Sequence, residues 1–463
     1  MPARPAAKLP FPDAGKPARD YQPRRPEQSV LYGVAFSCKG RGFCSSCGGR
    51  RMADTAAHLV DRVLPCVPVR QWVLSLPVAL RYRLAYDAPL VAEVLRVFVR
   101  AVFSSLRRRA RNRHGIRQTQ GGAVTFVQRF GGALNLNVHF HTLALDGVYV
   151  DESGDGVRFH VLPPPSDDEV MRVTTRVARG ITRLLARRGL GPQVDPLDAD
   201  PLSADEPLLA SLYGASVRGR IATGPRAGKR VMRLGDRIDA EDMPALRGRR
   251  CAAVSGISVH ANVGVPARDR QRLERLCRYA ARPPVATERL EQLEDGRLLY
   301  RLRHRWRDGT THVLFEPLEL IEKLAALVPP PRFNLVRYHG VLAPAAHLRA
   351  HIVPNEARPA RANSPKNCIS TKDPPREGDP DPSGPPFPRP RNYSWAELMR
   401  RVFEIDVLEC PRCSTRPMRI LAAIHPPETT AVILECLDLP ARAPPLLPAQ
   451  PEHEPTDCAF DSP

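Results

Sequence analysis

The stretch Asn135-Leu136-Asn137-Val138-His139-Phe140-His141-Thr142-Leu143 alternates polar and apolar residues. A period of two is the signature of a strand, in which residues two apart share a face. His139 and His141 therefore project together, while Val138 and Phe140 point the other way and Leu143 caps the far end. Two adjacent imidazoles can chelate one divalent ion, which polarises a phosphoryl oxygen and orients a scissile phosphate. A strand with two polar residues on a solvated face has the same pattern, so the pair takes its meaning from its surroundings.

Outward from this strand the sequence alternates strands and helices. Residues 134–145 and 124–130 form two strand-like runs separated by the turn signal Gly131-Gly132. Residues 69–76 (VRQWVLSL) read as a third strand, stopped by Pro77. Between them, residues 89–106 place Leu90, Val91, Val94, Leu95, Phe98 and Val102 at helical spacing, and this helix ends in Arg107, Arg108, Arg109, Arg111 and Arg113. Residues 167–189 form an amphipathic helix through Val170, Val173, Val177, Ile181 and Leu184, with Ser166 as N-cap and Gly189 as stop. Residues 191–250 show no regular period. Residues 254–263 look strand-like, and residues 267–281 look helical up to Arg282-Pro283-Pro284, where the prolines end the helix. Residues 297–315 read as a hairpin turning at Asp308-Gly309. No internal repeat is visible.

The chain carries 69 Lys+Arg against 49 Asp+Glu over 463 residues, a formal charge of +20 that points to a polyanionic partner such as nucleic acid. No run approaches the roughly eighteen apolar residues of a membrane span, and the first residues lack the apolar core of a signal peptide. The expectation is a soluble, cytoplasmic protein, nucleoid-associated when bound to DNA, with no membrane partner. Its 11 cysteines then read as metal ligands or buried thiols rather than disulfides.

A histidine-hydrophobe-histidine strand requires a nucleophile. A tyrosine suits an enzyme that must keep the energy of a cut DNA bond, because a phosphotyrosine ester preserves it for rejoining. Tyr279 stands out among the 10 tyrosines: it lies late in a basic helix, with Arg278 and Arg282 available to hold phosphates or favour the phenolate. Tyr338, in Arg337-Tyr338-His339-Gly340, is the main rival.

Several ordered blocks together resemble the transposases of the insertion-sequence-91 family and its common-region relatives. They are Phe36-Ser37-Cys38-Lys39-Gly40-Arg41-Gly42-Phe43-Cys44, Arg70-Gln71-Trp72-Val73-Leu74-Ser75-Leu76-Pro77 and Asn137-Val138-His139-Phe140-His141 with Asp146-Gly147-Val148-Tyr149. Leu276-Cys277-Arg278-Tyr279, Arg337-Tyr338-His339-Gly340 and Cys410-Pro411-Arg412-Cys413 complete the set, so the resemblance covers roughly residues 31–350 and 394–440. It implies a nuclease of the histidine-hydrophobe-histidine (HUH) type that nicks single-stranded DNA at the element ends, joins the 5′ phosphate through tyrosine and acts on target DNA in rolling-circle transposition. His139 and His141 become ligands of Mg²⁺ or Mn²⁺, and Tyr279 becomes the nucleophile. Some members carry two tyrosines four apart on this helix; here the earlier position is Arg275, which implies a single-tyrosine mechanism. Two imidazoles leave room for a third ligand, for which Gln128 and His260 are candidates.

Cys44 and Cys47 have the spacing that lets two thiolates reach one Zn²⁺, and Cys38 lies close enough to contribute. Members of the family carry a further cysteine pair upstream, absent here, so either His58 completes the site or the module is shortened. Cys410 and Cys413 form another half-site, which is as readily a metal-free pair. The basic run including Arg107, Arg108 and Arg109 and the segment around Trp306 are candidate DNA contacts, with Trp306 able to stack on an unpaired base.

The expected architecture is an α+β chain containing an antiparallel-sheet HUH-type nuclease domain with flanking helices and two small modules. Its expected divisions are a disordered leader (1–30), a zinc-binding module (31–66), the nuclease domain (67–350), a Pro-rich linker (351–393), a small C-terminal module (394–445) opened by a capping box at Ser394, and a disordered tail (446–463). Residues 355–391 alone hold ten prolines. A replication initiator or relaxase with the same chemistry and a catalytically dead zinc-dependent DNA-binding remnant are the alternatives.

Overall fold

The computed structural model describes residues 42–152, 156–190, 200–235, 248–306, 308–354, 393–404, 406–409 and 427–436. The chain begins with α1 (Ser45–Arg62), β1 (Val69–Ser75), α2 (Val78–Tyr86), α3 (Ala88–His114), β2 (Gly122–Phe130), β3 (Leu136–Leu145), β4 (Gly147–Glu152), β5 (Gly156–Val161) and α4 (Asp167–Arg187). It continues through α5 (Pro201–Asp205), α6 (Pro207–Val217), β6 (Met232–Gly235), β7 (Cys251–Val254), β8 (Ile257–His260), β9 (Gly264–Val265) and α7 (Arg270–Ala281). The last elements are β10 (Leu290–Gln292), β11 (Leu298–Arg301), β12 (Thr310–Phe315), α8 (Pro317–Leu327), β13 (Val336–Gly340), α9 (Arg349–Ile352), α10 (Trp395–Phe403) and α11 (Pro427–Cys436). Helix α11 belongs to one of two compact units, and all the other elements belong to the second. The leader, the tail, nearly all of the linker, and Cys38, Cys410 and Cys413 lie outside the described residues.

The main unit is built on a 7-stranded sheet of order β13-β2-β3-β1-β8-β7, with β9 also pairing β1. Every pairing in it is antiparallel, which makes the chain α+β. Strand β3 lies between β2 and β1, so the histidine pair stands in mid-sheet.

The strand period explains the layering. Trp72, Leu74, Val138 and Phe140 turn to one face and pack with Leu95 and Phe98 of α3 and Val173 and Val177 of α4. Val69, Val124, Phe126 and Leu143 turn to the other and pack with Leu59 and Val63 of α1 and Leu273 and Leu276 of α7. His139 and His141 share this second face: His141 is opposite Phe126 and Val73, and His139 is opposite Gln128. A second, 4-stranded sheet, β10-β11-β12-β6, builds a smaller core around Tyr300 and Phe315.

Local chemistry sets the helix ends. The Ser166 hydroxyl accepts from the Glu169 amide at the start of α4, and Gly189 sits beyond its end at φ +69°. The Asp87 carboxylate caps α3 through the Leu90 amide; Arg111, Arg113 and His114 occupy its last turn, where cations complement the helix dipole. The Ser394 capping box forms as expected.

Three expectations change. Residues 254–263 are not one strand: Ser255 and Gly256, both at positive φ, turn β7 back onto β8. The 297–315 hairpin exists, but β11 leaves the ladder after Arg301, and Asp308 instead accepts bonds from the Thr310 amide and hydroxyl within a longer loop. The boundaries at 66 and 394 have no counterpart in the packing. Helix α1 lies in the sheet's own helical layer, and α10 is tied to it, Arg401 bridging Asp61 of α1 and Glu274 of α7.

Candidate active site

His139 and His141 stand with ring centroids 4.9 Å apart. The Nδ1–H of His139 donates to the Asn137 carbonyl at 2.9 Å, which leaves Nε2 with the lone pair. The Gln71 Nε2 lies 2.5 Å from Nδ1 of His141 and donates to it; only with the amide oxygen in that place would His141 carry its proton on Nδ1 and share the tautomer of His139. Burial pushes the His139 imidazole down to about 4, against the favourable bond to Asn137, and burial together with the neighbouring His139, Arg282 and His260 holds His141 well below its ordinary value. Both rings are thus neutral near pH 7, the form that ligates metal.

Helix α7 brings Tyr279 onto this face. Its ring meets the His141 ring at 5.8 Å and 81°, an edge-to-face contact. The Arg282 guanidinium lies 4.2 Å from the Tyr279 ring centroid and that of Arg303 lies 5.1 Å from it. The phenol is therefore flanked by an imidazole and two cations, and it is only half-buried.

Gln128 fixes the end of α7 that carries Tyr279. In a longer helix the carbonyls of Tyr279 and Ala280 would accept from the amides of residues 283 and 284, but both are proline and have no N–H. The Gln128 Nε2 fills this role, donating to the Ala280 oxygen at 2.8 Å and the Tyr279 oxygen at 3.3 Å. One side chain thus ties the histidine strand's neighbour to the tyrosine helix.

With its nitrogen so engaged, the Gln128 Oε1 is buried without a hydrogen-bond partner, and so is the Asn137 Oδ1. An orphaned buried oxygen carries a desolvation cost that a cation would relieve. Gln128 is opposite His139, and Asn137 precedes it by two on the same strand face. Two imidazole nitrogens and an amide oxygen form a donor set suited to a divalent ion of intermediate hardness. His260 shares the face, opposite Val73 on β1. Among the described residues no group of three His, Cys, Asp or Glu side chains is arranged to hold a metal, which leaves the two unpartnered amide oxygens as the candidates for a third ligand.

The other residues singled out in the sequence are dispersed. Cys44 occupies the N-cap position of α1, without a side-chain capping bond, and Cys47 lies in its first turn. His58 does not join them: it lies on the same unbroken helix, eleven residues past Cys47, about 16 Å along the axis at 1.5 Å per residue. Arg107, Arg108 and Arg109 lie at the end of α3, which covers the opposite face of the sheet. Arg108 pairs with Glu169 at 2.6 Å, and Arg109 donates to the Pro163 carbonyl. Trp306 is not an open stacking platform, since the Arg233 guanidinium lies 4.7 Å from its ring centroid. Arg278 is half-buried on α7 beside Tyr279. Tyr338 packs in the second core cluster near Arg349, and burial raises its phenol. Sequence reasoning missed Gln71, Asn137 and Arg303; only the place of Asn137 on the histidine face was visible in the strand period.

Two protein-family models match the chain. One, described as "Putative transposase", matches residues 122–350, from the start of β2 into the first turn of α9. The other, described as "Transposase zinc-binding domain", matches residues 28–76 and runs from the cysteine segment through α1 to the end of β1. Together they span more than half of the sequence. No curated protein and no solved structure matches the chain.

Proposed function

Because this chain belongs to the insertion-sequence-91 family of transposases, we propose that it nicks single-stranded DNA at the element's end with Tyr279 as the sole nucleophile, in rolling-circle transposition. The observation that carries this reading is the half-buried Tyr279 ring edge-on to His141 and between the guanidinium groups of Arg282 and Arg303.

The Tyr279 Oη attacks phosphorus as its proton passes to solvent. The P–O3′ bond breaks, the leaving 3′ oxygen takes up a proton, and the 5′ phosphate stays on tyrosine as a diester. That diester keeps the energy of the cut bond, so a later 3′ hydroxyl can reverse the step and complete strand transfer. Arg282 and Arg303 can stabilise the charge developing on the phosphoryl oxygens. The Arg282 Nη1 is buried and without a partner, a donor placed to take a phosphate oxygen. His139, His141 and the Gln128 oxygen, with Asn137 as the second amide, would hold Mg²⁺ or Mn²⁺, which when bound polarises a non-bridging phosphate oxygen. Arg275 occupies the position one turn before Tyr279, so a second strand transfer falls to a second subunit or to passage of the replication fork, or does not occur. Cys44 and Cys47 at the start of α1 supply two thiolates to a zinc site in the zinc-binding domain.

Incubation of the protein with Mn²⁺ and a single-stranded oligonucleotide bearing its element end should give a covalent adduct resistant to denaturant. Tyr279→Phe should abolish the adduct while retaining binding; an adduct of undiminished yield in that variant overturns the assignment.

A further inference from the structure

Helices α3 and α4 cover the sheet face opposite the histidines, and the groove between their outer surfaces is lined by Arg100, Arg108, Arg172, Arg176, Arg179 and Arg183. No acidic side chain lines it. The carboxylate bonded to these cations is that of Glu169, 6% exposed, which accepts from Ser105, Arg108 and Arg172. Arg176 donates to the Ser104 hydroxyl, and Arg100, Arg179 and Arg183 have no acidic partner among the described residues. The floor is shallow and small: a Cβ at Gly180 would lie 2.5 Å from a Val97 methyl, so the helices approach closely there and the arginines rise on either side.

Residues 172, 176, 179 and 183 recur at intervals of four, three and four, a single stripe about 16 Å long on α4. Like charges at this spacing repel one another and destabilise a helix, so folding does not account for the stripe. At about 3.4 Å of axis per phosphate on one strand, its length spans about five phosphates. Aromatic side chains, on which unpaired bases stack in single-strand channels, are absent from the groove lining. Guanidinium groups without stacking partners suit phosphates whose bases are turned inward.

We infer that the α3–α4 groove is a second DNA-binding surface, which holds the phosphate backbone of duplex DNA without reading its sequence, on the far side of the sheet from Tyr279. It would keep flanking or target duplex attached while a single strand occupies the histidine face. This surface does not depend on the nicking chemistry, so the two can fail separately.

The test is the triple variant Arg176→Gln, Arg179→Gln, Arg183→Gln, whose side chains are all exposed, with folding checked by circular dichroism. Binding to an unrelated duplex of about 25 base pairs is followed by fluorescence anisotropy across a salt series. Loss of three phosphate contacts should lower the slope of log K against log salt by about 3 and weaken binding by about 100-fold near 0.15 M salt. The corresponding triple Lys variant should keep the wild-type slope, and adduct formation on a short single-stranded oligonucleotide should not change. A wild-type salt slope in the Gln variant overturns the inference, as does an equal loss of binding to the single-stranded oligonucleotide.

Discussion

Replacing Gln128 with leucine separates two roles of one side chain. In the metal-free protein the substitution removes the bonds to the Ala280 and Tyr279 carbonyls, at 2.8 and 3.3 Å, that Pro283 and Pro284 cannot replace. Stranding buried carbonyls costs about 1–3 kcal/mol, and the lost bonds contribute about 1 kcal/mol net. Removing the orphaned Oε1 recovers about 1–3 kcal/mol, which offsets the stranding, so the metal-free loss should be only about 1 kcal/mol. The metal-dependent part differs. A cation at about a hundred times its Kd stabilises the wild type by about 2.7 kcal/mol. Without the third ligand the affinity should fall at least about tenfold, removing about 1.4 kcal/mol of that gain. Urea unfolding followed by circular dichroism, with and without Mn²⁺, gives both quantities. Gln128→Glu sharpens the comparison: it retains an oxygen ligand but not the donated bonds, so it should keep the metal gain and lose the metal-free stability. A leucine variant with the full wild-type metal gain would refute the ligand assignment and move it to the Asn137 Oδ1.

Arg282→Gln should slow adduct formation by about 10²-fold in single-turnover assays, because it removes a cation 4.2 Å from the Tyr279 ring while leaving the histidines intact. In zinc stoichiometry measured by atomic absorption, Cys47→Ser should lower bound zinc whereas His58→Ala should not, since His58 lies eleven residues along the same helix. Burial alone would raise the Glu169 carboxyl, but bonds from Ser105, Arg108 and Arg172 outweigh it and hold the group at about 2, against 4.5 when unperturbed. A depressed folded value means that this stabilisation is complete above pH 4.5 and is lost as pH falls from there toward 2. Urea midpoints between pH 5 and 3 should therefore drop less steeply in Glu169→Gln than in the wild type.

What the sequence disclosed follows from the range of the interactions involved. The period of two through 135–143 placed both histidines on one face, and the Ser166 and Ser394 caps fixed helix starts, because these are relations between residues a few positions apart. The proline pair after Arg282 correctly ended α7. That the same prolines strand two carbonyls, and that Gln128 reaches them from 151 and 152 positions away, is a tertiary fact with no local signature. Arg303 was hidden for the same reason: its partner, Tyr279, lies on a helix separated from it by two strands. Charge density was visible in sequence but location was not. Arg107–109 stood out as the densest basic run and sit across the sheet from the tyrosine, on the same side as the stripe at 172–183, which is thinner in sequence and emerges only when α4 is wound. The 254–263 segment looked continuous because a Ser-Gly turn interrupts it without a proline.

The central claim, that Tyr279 becomes joined to DNA, is tested most directly by mass spectrometry of the trapped adduct after nuclease and trypsin digestion. Trypsin cuts after Arg278 and skips the Arg282–Pro283 bond, so the peptide covering residues 279–289 holds Tyr279 as its only tyrosine. The account predicts that this peptide carries the residual 5′ nucleotide. A nucleotide instead found on the peptide that begins at Tyr338 would contradict it.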